Sequence, residues 1–110
     1  MRLLRLKTVL VATDLEPSSD AAVESATRLA DVAGAKLHLA YVSAERGGKA
    51  DSGAPEAESA MTAFRERLEW SGSNRRIHLR SGDPASTISQ LADEIRADVI
   101  VMGRHQRTAA

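Results

Sequence analysis

The sequence predicts a single α/β domain, an open parallel sheet with helices on both faces. Three observations carry this. Short apolar, β-branched runs alternate with helical stripes along all 110 residues. The runs are continuously apolar instead of alternating, as strands buried on both faces are. Turn and cap residues punctuate nearly every junction.

The first strand spans 8–13 (T-V-L-V-A-T) and stops at the turn D-L-E-P. Ser18, Ser19 and Asp20 offer a helix N-cap and an acidic first turn. Ala22, Ala26, Leu29, Ala30 and Ala33 then form an apolar stripe, so the first helix is expected over 19–33. Gly34 sits where a glycine ends a helix. The second strand is 36–42 (K-L-H-L-A-Y-V). Residues 44–54, glycine-rich and of mixed charge, read as a flexible surface loop. Ala57, Met61, Phe64 and Leu68 recur at helical spacing and predict a second helix over 55–70. The third strand is 77–81. Gly82, Asp83 and Pro84 then form a turn in which Asp83 caps and Pro84 opens the third helix. That helix carries Ala85, Ile88, Leu91, Ala92 and Ile95 on one side. The last strand, 97–103 (A-D-V-I-V-M-G), is the most hydrophobic, and 104–110 is a polar tail.

Composition narrows the function. Fifteen Lys+Arg balance fifteen Asp+Glu, which speaks against a nucleic-acid partner. The absence of cysteine excludes disulfides, thiolate metal sites and a cysteine nucleophile. No apolar run approaches the ~20 residues that span a bilayer, and 9–12 is too short for a signal-peptide core. A cytoplasmic protein without a membrane partner is expected.

In an open parallel sheet, ligands bind beyond the carboxyl ends of the strands where the strand order reverses. That rule selects Thr13, Asp14, Leu15 and Glu16, then Val42 and Ser43, then Ser81, Gly82 and Asp83, and finally Gly103, Arg104 and His105. Asp14 could accept bonds from ribose hydroxyls, hold a metal through water, or stabilise its own turn. Gly103 could admit a ligand to the backbone, adopt a positive φ, or simply end the strand. Arg104, His105 and Arg107 could contact phosphate or be a solvated tail. His38 and His78 lie within strands without clustered acids and read as packing or surface residues. There is no G-x-S-x-G, no Walker A motif and no G-x-G-x-x-G after the first strand. The paired acids of a response regulator are missing too, so the chain is not expected to be an enzyme.

Three segments together resemble the universal stress protein family: 9–22 (V-L-V-A-T-D-L-E-P-S-S-D-A-A), 37–42 (L-H-L-A-Y-V) and 81–105 (S-G-D-P-A-S-T-I-S-Q-L-A-D-E-I-R-A-D-V-I-V-M-G-R-H). The resemblance implies a Rossmann-like fold of the adenine nucleotide alpha hydrolase kind, strand order 3-2-1-4, with the usual fifth strand absent. It implies an adenine nucleotide, ATP or AMP with Mg²⁺, as the ligand. Asp14 would meet the ribose and Val42 the adenine, in a candidate set of Ala12, Thr13, Asp14, Val42, Met102, Gly103 and His105. The family's G-x2-G-x9-G-[ST] phosphate loop fails here. Gly103 matches its first glycine, Gln106 stands at the second, and the sequence ends at Ala110. The implied protein is a non-catalytic stress-response module with weak or no ATP binding. The alternative is an ATP- or AMP-binding switch that uses the basic tail. An adenylating enzyme would need S-G-G-x-D-S or H-I-G-H, and neither occurs. Without a fifth strand, Val99, Ile100, Val101 and Met102 would present an apolar edge, so a homodimer or other self-association is expected.

Overall fold

The computed structural model describes residues 5–43, 54–68, 70 and 74–103. The elements are β1 (Thr8–Ala12), a 3-10 turn (Pro17–Ser19), α1 (Asp20–Ala33), β2 (Lys36–Ser43), α2 (Ala54–Leu68), β3 (Arg75–Ser81), α3 (Pro84–Ile95) and β4 (Val99–Met102). All strand pairs are parallel and the order is β3-β2-β1-β4, the predicted fold class. Of the expected loop, Ala54 opens α2 and the rest lies outside the described residues, as does the tail 104–110.

β1 is central, and it shows why its sequence does not alternate. Val9 and Val11 face α1 and α2, packing with Val23, Ala26, Met61 and Phe64. Leu10 faces the other way, onto Ala40 of β2 and Ile88 and Leu91 of α3. Each such side chain, fully withdrawn from water, contributes about 1.5–3 kcal/mol. The second face has only α3 over it among the described residues. Ile100 and Met102 lie on that face by register with Leu10 and Ala12, and remain 40% and 60% exposed.

Gly34 ends α1 at φ 68°, with its N–H on Ala30 and Asp31 carbonyls, as predicted. The start of α1 differs from expectation. Ser19 occupies the cap position in a helical conformation and makes no side-chain cap bond. The 3-10 turn, closed by Ser19 N–H to the Glu16 carbonyl at 2.9 Å, leads into the helix instead. Val23, outside the predicted stripe, is buried with Ala26 and Ala30, while Ala22, Leu29 and Ala33 are partly covered.

α2 ends at Leu68, not at Trp70. The Trp70 N–H reaches back to the Arg65 carbonyl at 3.2 Å, and its ring tilts against Phe64 at 5.7 Å between centroids. β3 starts two residues earlier than expected, since Arg75 and Arg76 pair with Leu37 and His38. An edge strand can keep charged side chains in water while its backbone pairs, so polarity there does not stop a strand. β4 is shorter than expected. Arg96 closes α3 in the left-handed region without a glycine (φ 56°). Asp98 anchors β4 to β1: its Oδ2 accepts the Lys7 and Thr8 N–H groups at 2.7 and 3.0 Å. Those two bonds hold its carboxyl below the usual range.

Candidate functional site

The sheet order reverses between β1 and β4, so the candidate cleft opens beyond Ala12 and Met102, which are register partners. Past Ala12 the chain curls. The Thr13 N–H donates to the Ala40 carbonyl at 3.0 Å, and Thr13 Oγ1 accepts the Leu15 N–H at 2.9 Å. Asp14 Oδ1 accepts the Glu16 N–H at 2.9 Å and the Ser19 hydroxyl at 2.7 Å. These side chains stand in for a backbone turn, as short polar side chains commonly do. The curl puts Leu15 at φ 67°. A left-handed non-glycine residue costs about 1–2 kcal/mol. Burial of the Leu15 side chain, 3% exposed, offsets that by about as much.

Asp14 is exposed. Both of its bonds fall on Oδ1, and Oδ2 takes no bond from another described residue. The turn role and a ligand role are therefore compatible: one oxygen shapes the loop while the other takes no bond from a described residue.

Gly103 follows β4 and lies against the first turn of α1. A Cβ there would meet Ser19 Oγ at 3.5 Å, Ala22 Cβ at 3.6 Å and Ser19 Cα at 3.7 Å. Ser19 thus touches both Asp14 and the neighbourhood of Gly103. The positive φ considered for Gly103 is not adopted. Val42 sits on the α3 face with Ala12, partly buried beside Leu10 and Ala40. Met102 is exposed on the same face. His105 lies outside the described residues, with Arg104, Gln106 and Arg107.

The G-D-P turn is structural. Asp83 Oδ2 accepts the Ser86 N–H at 3.0 Å and caps α3, which holds its carboxyl below the usual range. Gly82 has φ 134°, its N–H bonds the Ser43 carbonyl at 2.9 Å, and a Cβ would lie 3.1 Å from Thr87 Oγ1.

One residue of the site escaped the sequence. Arg67 of α2 grips the β1–α1 loop from the side, with Nε on Asp20 Oδ2 at 2.6 Å and Nη2 on Asp20 Oδ1 and the Leu15 carbonyl, each at 3.1 Å. Its only sequence signal is its place three residues after Phe64, at the border of the apolar stripe.

Among the described residues no group of three His, Asp or Glu could hold a metal. A groove of about 360 Å³ lies between α1, α2 and the start of β3, lined in part by Thr27, Arg67, Trp70 and Arg75. Its lining does not include Asp14 or Gly103, and its Arg67 and Arg75 are engaged by Asp20 and Asp31. The switch point has the better chemistry: a half-used carboxylate beside small residues at strand ends.

The sequence matches the universal stress protein family over residues 5–110. Protein Rv1636 from Mycobacterium tuberculosis H37Rv is 30% identical, with 98% of this chain and 79% of that chain covered and a TM-score of 0.73. The universal stress protein UspA from Lactobacillus plantarum is 25% identical, covering 97% and 83%, with a TM-score of 0.76. A universal stress protein solved in complex with cAMP is 25% identical, covering 89% and 76%, with a TM-score of 0.72. No curated protein matches the sequence. The fold, the strand order and the match over nearly every residue agree, and the chain belongs to the universal stress protein family.

Proposed function

We propose that this chain is a non-catalytic stress-response module that self-associates. Its switch-point cleft takes an adenine nucleotide weakly, through ribose and base and not through a triphosphate. The observation that carries the nucleotide reading is the exposed Asp14 carboxylate, pinned by Oδ1 to its own loop while Oδ2 takes no bond from a described residue. A carboxylate accepts only, and the ribose hydroxyls that could meet it are donors. Ser19, bonded to Asp14 Oδ1, lies against Gly103, so these strand ends carry little side-chain bulk. A family member solved with cAMP, a nucleotide without β- and γ-phosphates, supports a ligand that needs no glycine cradle. Gln106 at the second glycine position points the same way.

The test is calorimetric titration with AMP, cAMP and ATP·Mg²⁺, on the native chain and on Asp14→Ala. The reading expects dissociation constants between about 10 µM and 1 mM, similar for all three ligands and lost in Asp14→Ala. Micromolar ATP·Mg²⁺ binding indifferent to Asp14 would overturn it and favour phosphate contacts from the tail. The self-association rests on β4. Among the described residues its outer edge has no strand partner, and Ile100 and Met102 are exposed beside it. Sedimentation equilibrium over about a hundredfold range of protein concentration tests this. A mass that stays monomeric throughout rejects it.

A further inference from the structure

His38 and His78 were expected to be unremarkable strand residues. The structure joins them. His38 is level with Arg76 on the neighbouring strand, and His78 is level with Ala40, so the two histidines are diagonal neighbours on the α3 face. His38 Nδ1 and His78 Nε2 are 2.9 Å apart, the centroids 5.1 Å apart and the planes within 13°. Parallel planes with so short a nitrogen contact at that centroid separation describe two rings meeting edge to edge in line. This is an N–H···N hydrogen bond, not a face-to-face stack. It spans β2 and the edge strand β3.

The charged groups around the pair are nearly all cations. β2 contributes Lys36, and β3 contributes Arg76 and Arg80. α3 contributes Glu94, whose Oε1 is 3.2 Å from Arg80 Nη2. On β1 the register partner of His38 is Leu10, which carries no charge. Both imidazoles are held below the usual range, first by partial burial, with Arg76 and Lys36 contributing at His38 and Arg80 and Arg76 at His78. At His38 the field of His78 ranks directly after burial, and at His78 Glu94 alone opposes the trend.

We propose that the His38–His78 bond is an acid-sensitive latch that secures edge strand β3 to β2 and releases when the pair takes up its second proton. The inference goes beyond the nucleotide reading and does not rest on it. Between two neutral imidazoles one N–H fills the bridge and the acceptor ring carries its own N–H outside. The first added proton goes to the outer nitrogen of the donor ring and leaves the bridge intact. The second has only the bridging acceptor nitrogen to occupy. Two N–H groups then face each other, and the bond is gone. An opened β3 frees both rings to titrate near their ordinary value of about 6.5. The open form therefore binds more protons than the closed form, so the latch holds at and above neutral pH and weakens as pH falls.

The readout is amide hydrogen exchange of β3, corrected for the intrinsic rate, from about pH 7.5 to 5. The opening constant of β3 amides is expected to rise between tenfold and about a hundredfold per pH unit below about 6.5, for one to two protons taken up. β1 amides should not share the slope. His78→Gln, which can hydrogen-bond but cannot protonate, is expected to flatten it. An unchanged slope in His78→Gln refutes the latch. Should that variant fail to fold, the imidazole ¹⁵N shifts of the native chain decide. Two-step uptake with the second step coupled to β3 opening supports it, and two independent titrations near 6.5 overturn it.

Discussion

Replacing Gly103 by alanine adds one methyl group where β4 ends against the first turn of α1. Three atoms wait for it at 3.5, 3.6 and 3.7 Å, close to the optimum for van der Waals contact. At about 0.1–0.2 kcal/mol each, they contribute roughly 0.5 kcal/mol. Gly103 is not in the left-handed region, so alanine adopts its backbone without strain and restricts the unfolded chain, worth about 0.4–1 kcal/mol. Gly103→Ala should therefore stabilise the fold by about 1 kcal/mol and raise Tm by roughly 4–8 °C. Gly82→Ala is the contrast. Its φ of 134° and the 3.1 Å approach of Thr87 Oγ1 make the same methyl costly, of order 1–3 kcal/mol. Thermal and urea unfolding of both variants at one protein concentration measures the difference. A Gly103→Ala protein destabilised by about 1 kcal/mol or more would refute the reasoning. If the fold accepts a side chain at 103, the glycine there serves close approach of something else. Nucleotide affinity should then fall in the variant that gained stability.

Phe64→Ala removes the largest fully buried side chain and the support of Trp70. It should cost about 3–5 kcal/mol by urea unfolding and shift Trp70 emission to the red. Arg67→Met keeps the apolar stem but releases Asp20 and the Leu15 carbonyl. It should cost little thermal stability and speed hydrogen exchange at Glu16 and Ser19. Unaltered exchange there would mean that the loop holds its own shape.

The parts legible in the sequence are those governed by near neighbours. Gly34 ends α1 and Asp83 caps α3 because each acts on residues within a turn of itself. Val9, Leu10 and Val11 read as a two-sided strand because burial on both faces removes alternation. What stayed hidden depends on partners far along the chain. Arg67 meets residues about fifty positions away, and His38 meets its partner forty positions away. Neither pairing leaves a periodic trace. Arg96 and Leu15 take left-handed conformations without being glycine, so no composition rule marks them. At the site itself, the positions of Asp14 and Gly103 were legible. A turn role for Asp14 was among the readings the sequence offered, but Ser19 as its partner was not, because Ser19 read as a helix cap.

The A-D pair before V-I-V-M bears on the cleft from the far end of β4. Val9 to Ala12 run level with Val99 to Met102, so the next residues on each strand, Thr13 and Gly103, emerge side by side. A slip by one residue would carry Gly103 away from Ser19 and turn each β4 side chain to the opposite face. β4 has only four residues, and every other one is exposed, so its own packing specifies register weakly. The stronger pin is Asp98. Its N–H donates to the Thr8 carbonyl at 2.8 Å while its carboxylate takes the Lys7 and Thr8 amides, which fits one register only. That pin lies about 16 Å from Gly103 at roughly 3.3 Å per residue. A substitution of Asp98 therefore acts on the cleft through strand register, and its effect on ligand binding needs no contact with the ligand.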